Sequence, residues 1–302
     1  MSSVSTAAHR FVCLPERHEE EATHALFRKG LLLFLRNPAG ILGGGLFLFI
    51  LIVSLLGPFL YTVAPFEIAG APFSPPDGFY WFGTDYIGRD IFAGIIHGGR
   101  TTLGVGAAAA SVSILTGLIL GGLSGYFGGW LDTALTKITE LFQVLPPLLF
   151  AMVLLLLFGA SFPVMTLSIG LVNWIGVARL TRAEFMRLRE SDFVLAAVIA
   201  GASPRYILLK TILPNASPPI IVASAFAIGL AILFEGSLSF LGLSDPNQLS
   251  WGLMIGQNRE YILGAWWTVT IPGAAIFLAV LSVCLIGDAL NDVLNPLAQK
   301  RM

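Results

Sequence analysis

Asn173 is the most buried polar candidate in the apolar stretches of this 302-residue chain, and Glu235 stands in the fifth stretch. A carboxylate or amide in hydrocarbon marks a solute path, a proton relay or an interhelical hydrogen bond. Asn173 reads first as an interhelical hydrogen bond and second as a solute contact. Glu235 falls roughly 25 Å into its stretch, close to the outer surface. There it either lines the outer mouth of a pathway or pairs with an outer-loop arginine. Proton- or ion-coupled transport needs ionisable groups at mid-membrane, and no span carries one at its centre. Asp288 and Asp292 fall at the inner end of the last stretch.

Other chemistry is excluded by what the chain lacks. No G-x-x-x-x-G-K-[ST] phosphate loop occurs, and "GGGLF" has no Lys-Ser/Thr after it, so the chain cannot hydrolyse ATP. No Ser/His/Asp set, paired carboxylates or metal-ligand cluster points to a membrane enzyme. Cys13 and Cys284 sit far apart and read as two free thiols.

The elements that position these residues are membrane helices. The chain is 56% hydrophobic and 12% charged, with mean hydropathy +0.82. Soluble domains carry about 25% charged residues. Several apolar runs reach the roughly 20 residues needed to cross a bilayer. Six spans are expected, at 39–61, 102–123, 141–160, 162–178, 217–241 and 265–287. The third begins near Leu131, carries Lys137 and Glu140 at the membrane edge and kinks at Pro146 and Pro147. The N-terminal "MSSVSTAAHRFVCLPERHEEEATHALFRKG" lacks the layout of a cleavable signal. Its Glu16, Arg17, Glu19, Glu20 and Glu21 predict a polar tail with an amphipathic lead-in. With the N-terminus inside, fourteen Lys and Arg residues face the cytoplasm and only Arg89, Arg100 and Arg259 lie outside, out of 17. The positive-inside rule then puts both termini in the cytoplasm. It also puts 62–100 and 242–264 outside.

Between spans four and five lies "LAAVIAGASPRYILLKTILPN", too short and too broken by Gly and Pro to cross. Asp192 is expected to cap a helix over 193–200. Gly201 ends it with positive φ, and Ser203-Pro204 starts a second helix as N-cap and N1. That helix is expected to stop before Leu213-Pro214. Ala196, Ala197 and Ala200 give the first helix a small-residue apolar face. Such a face either lies on lipid headgroups or docks a soluble partner.

These residues resemble the cytoplasmic loop of ATP-binding cassette (ABC) importer permeases, E-A-A-x3-G-x9-I-x-L-P. Ala196, Ala197, Gly201, Leu213 and Pro214 match it; Leu195 and Thr211 depart from it. "FGTDYIGRDIFAGIIHGGRTTL", "SGYFGGWLD", "EGSLSFLGL", "SWGLMI" and "GDALNDVLNP" resemble further blocks of the dipeptide/oligopeptide/nickel family, second ("C") membrane subunit, in the same order over residues 30–297. Ala289, Asn291 and Asn295 depart from its last block.

The resemblance implies an all-α, six-helix type I importer permease in the bacterial inner membrane. It implies a cytoplasmic tail over 1–37, a first helix and external segment over 38–97, a transmembrane domain over 98–290 with its coupling loop at 190–215, and a tail over 291–302. It implies coupling to an ATPase subunit through Phe193, Val194, Leu195, Ala196, Ala197, Ala200, Gly201, Ala202, Ser203 and Pro204. The external motif is Gly83, Thr84, Asp85, Gly88, Arg89 and Asp90; it reads either as a capped turn or as a meeting place for a binding protein. The implied partners are a second, homologous permease subunit, two ABC ATPase subunits holding ATP and Mg, and an external substrate-binding protein. This chain itself needs no cofactor. The implied cargo is di- or oligopeptides, moved by alternating access. A nickel or small-solute importer is the nearest alternative, and an ion-coupled transporter or channel the alternative of another class.

Overall fold

The computed structural model describes residues 30 and 32–294. Most of the expected lead-in, Cys13, Asn295, Lys300 and Arg301 lie outside the described residues. Among the described residues the β structure is limited to two isolated antiparallel bridges, Ile68 to Arg89 and Thr84 to Asp90; the rest is helices and the connections between them.

Helix α1 (Pro38–Leu60) starts where the Asn37 side chain accepts from the Ala39 amide at 2.9 Å and Pro38 supplies a preformed first turn. Helix α2 (Ile91–Phe127) is capped by Asp90 and returns. A broken pair follows, α3 (Gly129–Val144) and α4 (Pro147–Phe158), then α5 (Phe162–Arg189), with Arg187 and Arg189 in its last turn. The short α6 (Asp192–Ile199) leads into α7 (Pro204–Phe240), a continuous 37-residue helix. A short helix, α8 (Trp251–Asn258), precedes the closing α9 (Trp267–Leu294).

Among the described residues five helices are long and apolar enough to cross a membrane, and the broken pair makes up to six. Span three differs from expectation in kind. The two limbs meet at 87° rather than in a kink. Leu145 and Pro146 each precede a proline, which bars both from helical ψ; they sit at ψ 128° and 119°. Two successive extended residues turn the chain a full corner. The 12 residues of α4 reach only about 18 Å, short of the roughly 30 Å hydrocarbon. Spans two and four run longer than their apolar stretches, to Ile91–Phe127 and Phe162–Arg189.

Backbone contact holds the centre. A Cβ on Gly117 or Gly125 would come within 2.9 Å of Trp174 O or 2.6 Å of Arg182 O, and one on Gly121 would press on Ala178 O. Three glycines four apart thus lay α2 directly on α5, the small-residue packing that membrane helices rely on. Around this pair, one buried cluster (Ile91, Leu103, Ile232, Trp251, Trp267) fills the end where the α1–α2 and α7–α9 connections lie. A second (Val105, Ile169, Leu155, Leu238) fills the middle. A third (Phe185, Leu188, Val194, Ile207, Ile212) fills the end that carries α6. Exposed Phe49, Leu56 and Phe59 give α1 an apolar outer face suited to lipid.

Candidate functional site: the helical elbow and the opposite end

At the elbow, Ser191 rather than Asp192 occupies the N-cap position of α6, with extended φ −78° and ψ 148°. Its hydroxyl is turned back to donate to Leu188 O, so it makes no side-chain cap, and Asp192 lies exposed in the first turn. Gly201 has φ +79°. Its amide donates to Val198 O at 3.0 Å and the Ala202 amide to Ala197 O at 3.0 Å, the paired bonds of a Schellman C-cap. Ser203 then accepts from the Tyr206 amide at 3.4 Å with Pro204 at N1. Turn chemistry written into Gly201, Ser203 and Pro204 fixes the angle between α6 and α7.

The sequence predicts that the second helix stops before Leu213-Pro214; in the structure it runs on through Pro214. A π turn over Ile207–Ile212 precedes it, and the Leu213 amide bonds Leu208 O. Pro214 therefore enters in the first turn of a fresh α segment, where its missing N–H costs nothing. Pro218 would leave Pro214 O without a donor; the Ser217 hydroxyl supplies one at 2.8 Å. Span five and the second elbow helix are one rod.

Three of the expected contact residues turn inward. Val194 is 1% exposed and anchors α6 among Phe185, Leu188, Ile207 and Ile212; Ala197 and Ala202 are half-buried against the same cluster. The exposed face carries larger side chains instead: Phe193, Leu195, Val198 and Ile199, the last 87% exposed, beside Ala196, Ala200, Gly201, Ser203 and Pro204. The face is apolar and wide, not only small.

Sequence reasoning missed what braces this end. Arg182 on α5 grips Asp132 on α3 with two bonds, Nε to Oδ1 at 2.5 Å and Nη2 to Oδ2 at 2.7 Å. Ser124 on α2 donates to the same carboxylate. Arg189 caps the end of α2 through Tyr126 O at 2.8 Å, and Asn37 joins α1 to α9 through Asp292 at 3.0 Å. The facing charges of Asp132 and Arg182, 50 residues apart, gave no periodic signal.

At the opposite end, "GTDYIGRD" folds as a packed knot. Gly83 and Gly88 have φ +75° and +88°. Thr84, Asp85 and Asp90 are buried. Asp85 accepts from the amides of Ile87 and Arg89 at 2.9 and 2.8 Å, capping the turn itself, and Asp90 is the cap of α2, accepting from Phe92 at 2.8 Å. Tyr61, just past α1, donates to Asp90. Trp267 donates to Thr84 O at 3.1 Å. Arg89 lies 5.2 Å from the Phe66 ring centre, and Tyr86 stacks on Tyr261. The motif locks the α1–α2 and α8–α9 connections together.

Glu235 neither lines a mouth nor meets an arginine. It is fully buried in α7, accepting from Ser239 at 2.6 Å, and its other oxygen has no hydrogen-bond partner among the described residues. Arg259 stacks on Phe240 at 5.6 Å instead. Beside Glu235, α8 lies backbone to backbone on α7. A Cβ on Gly252 would strike Gly236, and one on Gly256 would strike Phe240. The Gly-x-x-x-Gly of "GLMIG" was the available signal. Asn173 is half-buried, and its amide nitrogen finds no partner among the described residues, so the expected interhelical bond is not formed within this chain.

Comparison with known proteins agrees with this architecture. Residues 113–300 match the family model "Binding-protein-dependent transport system inner membrane component". The chain is 38% identical over 222 residues to the dipeptide transport system permease protein DppC of Alkalihalophilus pseudofirmus, covering 73% of each. It is 34% identical over 267 residues to DppC of Bacillus subtilis, covering 86% of this chain and 82% of that one. It is 32% identical over 268 residues to the oligopeptide permease protein OppC of Haemophilus influenzae, covering 87% and 86%. A chain of the MetNI methionine ABC transporter, solved in inward-facing conformations, shares the fold with TM-score 0.54 at 16% identity, over 67% of this chain and 96% of that chain. The helix order, the elbow and these matches lead to one assignment: the chain belongs to the binding-protein-dependent transport system inner membrane components, and is a multi-pass inner-membrane permease of the ABC importer type.

Proposed function

We propose that this chain forms half of the membrane pathway of an ATP-driven importer of di- or oligopeptides. A second, homologous permease subunit completes the pathway. Two ATPase subunits, which hold ATP and Mg, dock on the elbow, and an external binding protein delivers the cargo. Both termini and α6 lie in the cytoplasm, and the 83–90 knot lies outside. The observation that carries the reading is the elbow: an apolar helix face presented at one end of the bundle, at an angle fixed by Gly201 and Ser203. Such a face needs a partner surface. A rigid tie from that face into α7 lets closure of the ATPase pair move a membrane helix. The peptide assignment follows the relatives named above. The test is reconstitution: the purified chain alone shows no ATP turnover, and turnover appears with the ATPase subunits and rises when a peptide-loaded binding protein is added. Turnover by the isolated chain, or no response to any loaded binding protein, overturns the reading.

A further inference from the structure

A groove of about 410 Å³ opens between α2, α3 and α5. Its floor is Trp174, 4% exposed, and Ala178. Thr136, Thr139, Glu140 and Gln143 line the α3 wall, and Arg179 and Arg182 the α5 wall. The two arginines are not equivalent. Arg182 spends Nε and Nη2 on Asp132 and so pins α3 in place. Arg179, one turn away, is exposed and forms no ion pair among the described residues. On the facing wall Glu140 gives one oxygen to Lys137 at 2.8 Å and keeps the other. The Thr136 hydroxyl is buried without a hydrogen-bond partner among the described residues.

The lining therefore offers a cation on one wall and an anion on the other. Hydroxyl and amide groups lie between them, over an apolar and aromatic floor. That set suits a ligand with separated opposite charges and polar groups joining them. It suits a soft metal ion poorly, because the lining has one carboxylate at its mouth and no imidazole or thiolate. We propose that this groove is a transit subsite for the charged backbone of a short peptide, with Arg179 taking the carboxylate and Glu140 the ammonium. The assignment rests on the peptide reading above and adds to it where, on this chain, the cargo is held.

The experiment uses the assembled complex in proteoliposomes, with Thr139→Cys in a Cys13→Ser, Cys284→Ser background and a membrane-impermeant maleimide. Millimolar alanyl-alanine is expected to slow labelling about fivefold, the occupancy effect of a ligand several-fold above its dissociation constant. N-acetyl-alanyl-alanine amide, with both ends blocked, is expected to give no protection, and Arg179→Gln to remove it. Equal protection by the blocked peptide, protection that survives Arg179→Gln, or a Thr139→Cys thiol that never reacts overturns the assignment. Uptake of labelled dipeptide by the unmodified complex reports separately on the cargo. Uptake without protection removes only the groove assignment, whereas no peptide uptake at all removes the peptide reading and this one with it.

Discussion

The Nε of Arg100 lies 2.9 Å from the carbonyl oxygen of Ser54, and Pro58 is the reason. A proline inside a helix has no N–H for the carbonyl four residues before it. Pro58 stands inside α1, so Ser54 O is the carbonyl left over. Arg100 reaches across from α2 to fill that gap, bonds Leu55 O as well, and lays its guanidinium 5.4 Å from the Phe59 ring centre. An unmatched carbonyl in hydrocarbon is costly, and one arginine repairs it while joining two helices.

Arg100→Leu is therefore expected to destabilise the folded chain by about 1–3 kcal/mol, the range for leaving a buried acceptor unmatched. In a Pro58→Ala background Ser54 regains its own helical donor, and the same substitution should cost clearly less. Thermal unfolding of the four proteins in detergent closes this cycle. Equal losses in both backgrounds would show that the Pro58 gap is not what Arg100 fills.

Gly201 makes a second prediction. A Cβ there meets nothing within 4 Å, but φ is +79°, so Gly201→Ala carries only backbone strain of roughly 1 kcal/mol. Gly201→Asp adds a charge to an apolar face, with a desolvation cost of a few kcal/mol if a protein surface covers it. The expected result is normal membrane insertion for both and loss of ATPase-subunit association by about two decades for Asp alone. Co-purification measures it, and wild-type yields of complex with Gly201→Asp would favour lipid headgroups as the partner of α6.

The α7–α8 contact predicts a steric effect. Gly252→Val drives a side chain into the Gly236 backbone, which cannot step aside as a flexible side chain could. Overpacking of this kind costs about 1–3 kcal/mol. Folded yield by size-exclusion chromatography should fall, while Gly45→Val, at a position with nothing within 4 Å, should leave it unchanged. Similar profiles for the two variants would remove the α7–α8 contact as a stability element.

Topology is tested directly. A reporter fused after Arg205 should read cytoplasmic, and reporters near Asp77 and Asn247 should read external. The warrant is the charge count, fourteen Lys and Arg against three. An external reading after Arg205 inverts the orientation and removes the docking argument.

Run length and turn chemistry made most of this architecture legible in advance. Gly201, Ser203 and Pro204 gave the elbow because their effects are local: a positive φ, a cap and a fixed φ. Paired features were harder. Pro146-Pro147 read as a kink because a lone proline in a membrane helix usually bends it gently, whereas two in succession impose two extended residues. Pro214 read as a stop because the π turn before it depends on how Ile207 and Ile212 pack in the interior. Glu235 was misplaced for the same reason. Depth along a span can be counted, but whether a residue faces a pathway or a neighbouring helix is set by contacts such as Gly236 on Gly252. The bond between Asp132 and Arg182 belongs to that class too.

The unbroken run of α7 has a mechanical meaning. From Pro204 to Phe240 it is a lever on the order of 55 Å long, with α6 at one tip and the Gly236–Gly252 contact near the other. A tilt of about 5° imposed at the elbow would carry the far tip about 5 Å, if the shaft stayed straight. Its softest joint is the stretch from Pro214 to Pro219, where regular backbone bonds are missing and the Ser217 hydroxyl acts as a splint. The stiffness of that joint decides how much of a displacement at the elbow reaches the far tip and how much is taken up in the bend.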